Sequence, residues 1–334
     1  MTGLLPGRLV VDLPNWVGDL VMALPTVHRL VGGNAGGSTI VHSRRSARRL
    51  LADLFPAVEV VVSPRRASPA TAAWRLRRRG GRFALGVTLR NAARSKLLLL
   101  LVARHRLGSA SNGGRLLLSA SYAVDRGRHQ VFDWDPLLAD LGLPAVDADW
   151  RAALSKQLLG EGRRCLEDAG LGGQRLVGLA PTAAWGASKQ WPGASFGELA
   201  RELARYRLQP IVLIGPGEEE VAEEVARTAG GALPVLGAAT DIAGLAAIMA
   251  HLGALVSNDS GPMHLSAAVG TPVVALFGPT DPRRTAPLGP GHTVLSPGLE
   301  CAPCLERVCP LVHNACLRGL EVEEVTRAVV GVLG

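Results

Sequence analysis

The segment 257–282 combines residue types that could bind an anion. An apolar run at 254–256 ends in S-N-D-S-G, and a helical pattern begins at Pro262. A second apolar run at 273–277 ends in G-P-T-D-P. Because parallel strands deliver their carboxyl ends to one edge of a sheet, both loops should face one ligand. A loop that opens a helix also presents unpaired N–H groups, which suit a phosphate. The candidate anion-binding residues are Ser260, Gly261 and His264. Asp259 could orient backbone amides or cap the helix, and it is interpreted as a helix cap.

Two further charged residues lie in loops after predicted strands. Asp19 ends the motif N-W-V-G-D at 15–19. A carboxylate there could take a proton from an attacking hydroxyl, or it could complement a helix dipole. Lys189 lies in the polar loop 181–192 and is one of only three lysines among 36 basic residues. A cation in such a loop can neutralise a departing anion, although a solvated loop lysine is the alternative.

Other polar groups follow strand patterns in both halves of the chain. Arg90, Asn91 and Arg94 come after a predicted strand at 85–89. Arginine forks suit phosphate groups, and a solvated basic face is the alternative reading. Three glutamates at 218–220 open a helical pattern after G-P-G, where acids ordinarily complement the dipole.

Four cysteines lie close together near the C-terminal end of the sequence. Cys301, Cys304, Cys309 and Cys316 form C-x2-C-x4-C-x6-C, with His313 nearby. In a cytoplasmic protein this density favours a metal site over disulfides, and a structural zinc is compatible with the spacing. The spacing differs from the usual pair of C-x2-C knuckles, so free thiols, or disulfides in an oxidised sample, stay open.

The elements that must position these residues alternate between strand and helix patterns. The alternation runs from residue 8 to residue 103 and restarts at residue 174, which predicts two α/β domains with parallel sheets. We expect domains at 1–165 and 174–334, with the last helix able to pack on either one. Ligands are then expected in the cleft between two Rossmann-like domains.

Composition limits the classes of partner. The 334 residues are 48% hydrophobic and carry a formal net charge of +8, so a large core and an anionic partner are expected. Aromatic residues are only 4%, and no basic stretch interleaves with them, which argues against nucleic acid. No signal peptide or membrane-spanning run is visible, so we expect a cytoplasmic protein whose arginines could contact a membrane surface.

Several motifs, in order, resemble those of one enzyme family. The segments 15–26, 181–192 and 257–282 resemble signatures of the bacterial lipopolysaccharide heptosyltransferases, glycosyltransferase family 9. L-R-N-A-A-R-S at 89–95 and the cysteine-rich tail at 300–318 look like the heptosyltransferase II branch. The resemblance covers nearly the whole chain. It implies a GT-B fold with the acceptor in the N-terminal domain, the nucleotide-sugar donor in the C-terminal domain, and no metal in catalysis.

The resemblance also implies a reaction and a set of roles. It implies inverting transfer of heptose from ADP-heptose to a phosphorylated saccharide or lipid-linked acceptor, such as the lipopolysaccharide inner core. Asp19 would be the base, and one of the glutamates, chosen as Glu218 over Glu219, would bind the ribose. The implied donor-binding residues are Thr182, Lys189, Glu218, Asp259, Ser260, Gly261, His264, Thr280 and Asp281, and the acceptor-binding residues are Asn15, Arg90, Asn91 and Arg94.

The sequence bears differently on three alternative functions. A GT-B enzyme with another nucleotide-sugar donor would keep the same motifs. A non-catalytic nucleotide-binding module would be favoured by loss of Asp19 or Lys189, and both are present. A Rossmann dehydrogenase is disfavoured because no G-x-G-x-x-G follows the first strand.

Overall fold

The computed structural model describes residues 7–64 and 66–334, which divide into two compact units, Met1–Trp150 and Arg151–Gly334. In the first unit, strands and helices alternate along the chain. The elements in chain order are β1 (Leu9–Asp12), α1 (Val17–Gly33), β2 (Thr39–Ser43), α2 (Arg48–Leu54), β3 (Glu59–Val62), α3 (Pro69–Gly80), β4 (Phe83–Thr88), α4 (Ala93–Val102), β5 (Ala103–Ser109), α5 (Gly114–Leu117), β6 (Ala120–Tyr122) and α6 (Asp135–Asp140).

The first sheet is fully parallel, with strand order β3-β2-β1-β4-β5-β6. The central strand β1 reads L-V-V-D, and all four residues are buried because helices cover both faces of the sheet. Its last residue, Asp12, pairs in register with His42 on one side and Thr88 on the other. The sheet therefore brings three polar residues together at the carboxyl ends of its middle strands.

The second unit repeats this plan. Its elements are α7 (Lys156–Asp168), β7 (Leu176–Ala180), α8 (Gly193–Arg205), β8 (Gln209–Leu213), α9 (Glu219–Ala229), β9 (Val235–Leu236), α10 (Ile242–Met249), β10 (Ala254–Asn258), α11 (Gly261–Ala268), β11 (Val273–Leu276), α12 (Pro282–Thr285), β12 (Thr293–Leu295), α13 (Ala315–Arg318) and α14 (Val322–Val332). The strands are all parallel, in the order β12-β11-β10-β7-β8-β9.

The predicted α/β class with two parallel sheets is confirmed. The unit boundary, however, falls after Trp150 and places α7 in the second unit, whereas the sequence pattern puts this helix within a domain ending at residue 165. The reason is that α7 packs on α10, so closely that a side chain on Gly162 would collide with Ala247. Just after α10, His251 Nε2 lies 2.8 Å from the carbonyl oxygen of Leu159 in α7. The last helix, α14, packs in the core of the second unit through Val325 and Val329.

Candidate functional site

A buried carboxylate after β10 joins three parts of the second unit. Asp259 Oδ2 accepts hydrogen bonds from Lys189 Nζ at 2.5 Å and from Thr280 Oγ1 at 2.7 Å, and Thr285 Oγ1 lies 3.4 Å away. The Lys189 side chain is 12% exposed and that of Asp259 is 4% exposed. Two charges this far out of water are tolerated only because they are paired and hydrogen-bonded.

The residue before this carboxylate holds the loop that carries Lys189. Asn258 is fully buried. Its side-chain amide donates to the carbonyl of Pro181 at 2.8 Å, and its Oδ1 accepts from the N–H of Trp191 at 2.9 Å. One amide thus ties down both ends of the 181–192 loop. Sequence reasoning did not single out Asn258, and the available signal was a polar residue at the end of a buried strand.

Lys189 therefore lies in a prearranged position. Its ammonium lies 5.0 Å from the centre of the Trp185 ring, a cation–π contact. The neighbouring Ser188 donates from Oγ to the carbonyl of Glu306 at 2.5 Å, so the cysteine-rich segment supports the same loop. The sequence predicts that Lys189 contacts an anionic ligand. The structure adds that such a ligand must share the ammonium with Asp259.

The helix α11 begins at Gly261, two residues after Asp259. Ser260 is its N-cap residue with extended backbone, and its hydroxyl makes no capping hydrogen bond. The interpretation of Asp259 as the helix cap is wrong, because its carboxylate contacts Lys189 and Thr280 instead. Gly261 opens the helix, and His264 lies one turn further in, 7% exposed. The first-turn N–H groups of α11 therefore lie beside the Lys189–Asp259 pair.

Glu218 and Thr182 form a second pair at the same sheet edge. Glu218 Oε2 accepts from Thr182 Oγ1 and from the N–H of Gly215, both at 2.7 Å. Glu219 instead accepts from the N–H of Gly217 at 3.2 Å. Glu218, which was chosen over Glu219 as the ribose-binding residue, is the glutamate that contacts another predicted site residue, Thr182.

Asp281 has a local structural role. It caps α12, with Oδ1 accepting from the N–H of Arg283 at 3.0 Å and Oδ2 lying 2.8 Å from the Arg283 guanidinium. The hydrogen bond from the Arg283 side chain lowers the pKa of the Asp281 carboxyl. The neighbouring Thr280, by contrast, belongs to the Asp259 cluster.

In the first unit, a second buried carboxylate holds the strand ends together. Asp12 Oδ1 lies 2.6 Å from His42 Nδ1, and its Oδ2 accepts from Thr88 Oγ1 at 3.2 Å and lies 3.5 Å from Arg90 Nε. The far side of the imidazole contacts Ser63 Oγ at 2.9 Å. Burial alone would raise the pKa of Asp12, but the Arg90 charge and the His42 hydrogen bond outweigh burial and lower it. These long-range partners were not predicted from sequence.

A pocket of about 60 Å³ opens above this network. Three predicted residues line it, namely Asn15, Arg90 and Arg94. Both guanidinium groups also donate to backbone carbonyls, Arg90 to Leu13 and Arg94 to Ala67, so their positions are fixed. The remaining lining residues are His42, Ser43, Arg44, Ser63, Pro64, Ala67, Ser68, Pro69, Ala72, Ser95 and Leu98. The arginines and hydroxyl groups suit an anionic group.

Asn91 does not line this pocket. Its Oδ1 accepts from Ser109 Oγ at 3.1 Å and also from Ser111 Oγ, and its carbonyl accepts from Asn112 at 2.8 Å. Its side chain therefore ties the end of β4 to the loop after β5. This role is structural and separates Asn91 from the two arginines with which the sequence groups it.

Asp19 lies in the first turn of α1, whereas the sequence pattern places it in the loop before this helix. Its Oδ1 accepts a hydrogen bond from Gln130 Nε2 at 2.9 Å, and the carboxylate is partly exposed. An oriented and accessible carboxylate is what a general base requires.

The four cysteines of the C-terminal cluster line one apolar cavity of about 20 Å³ together with His313. Burial, followed by the neighbouring thiols, raises the pKa of Cys316. All five cysteines of the chain are free, and among the described residues no three histidine, cysteine or acidic side chains are placed to hold one metal ion. The thiols are thus neighbours around one cavity, and the structural zinc stays a prediction.

Comparison with known proteins decides the family. Residues 73–314 match the sequence profile of Glycosyltransferase family 9 (heptosyltransferase). The chain belongs to glycosyltransferase family 9. It is therefore an enzyme that transfers a sugar, and the resemblance seen in the motifs is confirmed.

Individual members of family 9 align over the full chain. The chain is 26% identical to lipooligosaccharide heptosyltransferase 2 of Campylobacter jejuni, over 95% of this chain and 96% of the relative. A solved structure of Escherichia coli ADP-heptose LPS heptosyltransferase II superposes with a TM-score of 0.81 at 23% identity, covering 98% of both chains. A family 9 structure from Veillonella parvula gives a TM-score of 0.86 at 20% identity, covering 98% of this chain and 97% of that one. These likenesses confirm the predicted GT-B fold.

The buried Asp12 network makes a stability prediction for this family 9 enzyme. Asp12→Asn should lower the free energy of unfolding by about 3 kcal/mol at neutral pH, because it removes the charge that faces Arg90 and His42. The folded-state pKa of Asp12 is lowered, so its stabilising effect is complete above roughly pH 4, the unfolded value, and is lost as pH falls through the folded value. Urea unfolding at several pH values measures this.

Asp140→Asn is the matched control, because Asp140 is an exposed carboxylate of the same unit. It should leave the free energy of unfolding nearly unchanged. An Asp12→Asn variant as stable as this control at neutral pH would contradict the structural role of the network.

Proposed function

We propose that this glycosyltransferase moves heptose from ADP-heptose to a phosphorylated saccharide or lipid-linked acceptor such as the lipopolysaccharide inner core, with inversion. The names of the Campylobacter and Escherichia relatives support the sugar and the nucleotide. The observation that carries the proposal is the cluster of Lys189, Asp259 and Thr280 beside the start of α11. It unites a fixed cation with a helix N-terminus, where the first N–H groups have no partner within the helix, and this is the chemistry that a diphosphate leaving group needs.

The second unit would bind the donor. The N–H groups at Ser260 and Gly261 and the ammonium of Lys189 would hold the diphosphate, with His264 one turn into the helix. As the glycosidic bond breaks, negative charge grows on the departing ADP, and these fixed positive groups stabilise that charge. Thr182 and Glu218 lie on the loops after β7 and β8 and contact each other. The Glu218 carboxylate could accept hydrogen bonds from the ribose hydroxyls. In this mechanism these groups neutralise the charge on the leaving ADP without a metal ion.

The first unit would bind the acceptor and supply the base. Asp19 takes the proton of the acceptor hydroxyl as its oxygen bonds to the anomeric carbon from the face opposite ADP. That single displacement inverts the configuration. Gln130 holds the carboxylate in one orientation, as proton transfer requires. Arg90, Arg94 and Asn15 would hold an anionic group of the acceptor in the pocket above Asp12. We propose that the reaction takes place in the cytoplasm, at the face of the membrane.

Replacing the proposed base separates chemistry from binding. Asp19→Asn should lower turnover by roughly 10²–10⁴-fold while ADP affinity stays unchanged, because the amide cannot accept the proton. Turnover is measured as ADP release from ADP-heptose in the presence of acceptor, and ADP affinity by calorimetry. Asp140→Asn again serves as the matched control. Normal turnover in Asp19→Asn would remove this residue from the mechanism.

The Lys189–Asp259 pair makes a prediction about coupled residues. Lys189→Ala should weaken ADP binding at least about tenfold, because it removes a charge-assisted contact and leaves the Asp259 carboxylate facing the phosphates alone. Lys189→Ala combined with Asp259→Asn should recover part of that loss, since the uncompensated negative charge is gone. Calorimetric titration of ADP measures both effects.

Lys156→Ala is the control for this pair, because Lys156 is an exposed lysine at the start of α7. It should bind ADP like the unaltered enzyme. Unchanged ADP affinity in Lys189→Ala would contradict the proposed diphosphate contact, and identical losses in the single and double variants would contradict the role given to Asp259.

A further inference from the structure

The positive charge of this chain is concentrated in one of its two units. Residues 1–150 contain 21 lysine and arginine residues against 10 acidic ones, which gives +11, while residues 151–334 contain 15 against 18, which gives −3. Within the first unit the segment 60–124 has 13 basic residues and not one aspartate or glutamate. This segment contains α3, α4 and α5. A surface built from it carries positive charge without local compensation.

Helix α4 presents an apolar stripe on its outer side. Its inner side, which includes Leu98, Leu99 and Val102, packs into the core of the first unit. Leu97, Leu100 and Leu101 point the other way and are 41%, 42% and 44% exposed. Their spacing of three and four residues forms one continuous face of the helix. The helix is thus apolar on both sides, although only one side has a partner within the described unit.

The helices beside α4 extend this surface. On α3, which packs against α4 on the same side of the sheet, Trp74 is 57% exposed and the Arg78 guanidinium stacks on its ring at 4.9 Å. On α5, which also packs against α4, Leu116 is 90% exposed. Exposed arginines lie on α3 and α5 and just after the end of α4. We call this surface the arginine–leucine face; its residues are Trp74, Arg77, Arg78, Leu97, Leu100, Leu101, Arg104, Arg115 and Leu116.

A groove of about 660 Å³ borders this face along the edge strand β3. Four arginines line it, namely Arg48, Arg75, Arg78 and Arg79, together with Trp74. The one acid on its wall, Glu59, is paired with Arg79 at 2.9 Å. The groove therefore adds room and donors for anionic groups next to the exposed tryptophan.

We propose that the arginine–leucine face docks on a membrane surface that carries anionic lipids. Leucines and a tryptophan at the interface bury apolar area among the acyl chains, and arginines bind the phosphate groups above them. Each basic residue near an anionic bilayer adds to the affinity. Among the described residues no helix is long and apolar enough to cross a bilayer, so this contact would be peripheral.

The charge of the arginine–leucine face favours an anionic membrane over the other partners that could cover it. A second copy of the chain that brought the same face would place arginines against arginines with no carboxylate between them, which opposes self-association. Single-stranded nucleic acid needs several stacking platforms, and the face offers one exposed aromatic ring. The apolar stripe is what a lipid surface uses and a polyanion does not. The proposal rests on the membrane location given in the proposed function and names the surface for it, while its test is separate because vesicle binding involves neither donor nor acceptor.

Vesicle flotation tests the proposal with the full-length protein. We expect binding to vesicles of phosphatidylcholine and phosphatidylglycerol in equal parts, and at least about tenfold weaker binding to pure phosphatidylcholine. Leu97→Gln with Leu101→Gln should weaken binding to the mixed vesicles about tenfold, because two apolar side chains are lost while helix propensity and charge are kept. Arg77→Gln with Arg78→Gln should weaken it to a similar extent and reduce its sensitivity to salt.

The matched controls lie on the second unit. Arg201→Gln with Arg205→Gln removes the same charge from exposed positions of α8, and Val330→Gln replaces an exposed apolar residue of α14. Both should bind vesicles like the unaltered protein. Failure to bind the mixed vesicles, or equal losses in face and control variants, would overturn the proposal. A dimer in size-exclusion chromatography that Leu97→Gln with Leu101→Gln dissociates, without vesicle binding, would assign the face to self-association instead.

Discussion

The buried ion pair between Lys189 and Asp259 is the interaction on which the second unit's site depends. Neither charge would be stable alone at this depth, so each fixes the position of the other. The same carboxylate also holds Thr280, and thereby the loop after β11. Asn258 then ties both ends of the Lys189 loop to the end of β10. Two adjacent residues at the end of one central strand therefore hold the loops that follow its two neighbouring strands, β7 and β11.

In the first unit, a different buried carboxylate holds the ends of the strands in position. Its central strand β1 ends in Asp12, which contacts His42 from β2 and Thr88 from β4 in the positions that the parallel register dictates. A buried polar group at the end of a central strand cannot reach water, so it recruits partners from both neighbouring strands. The pocket with Arg90 and Arg94 lies on that support. In both units, rigid sheet ends rather than the loops themselves would set the positions of the site residues.

The parts predicted from sequence are those with a local signal. The strands β10 and β11 are apolar runs that end in glycine-bearing loops, so their placement could be read directly from the sequence. Asp19 was expected in a loop after the first strand, but it lies in the first turn of the following helix. The strand β5, A-R-H-R-L-G-S, has neither alternation nor a continuous apolar run, and it was missed. Contacts between distant residues were also out of reach. Lys189 and Asp259 are 70 positions apart, so their pairing, and the error of assigning Asp259 to a helix cap, became visible only in the folded chain.

Differential binding of nucleotides tests the central claim that the second unit is built for an ADP-sugar. The measurement is the rise in Tm produced by ADP-heptose, ADP, UDP-glucose and GDP-mannose at equal concentrations, since of the ligands that bind only the folded state, the one that binds more tightly stabilises it more. The proposed donor site predicts the largest rise with ADP-heptose and ADP, and the loss of that rise in Lys189→Ala. A larger rise with UDP-glucose or GDP-mannose than with ADP-heptose would contradict it.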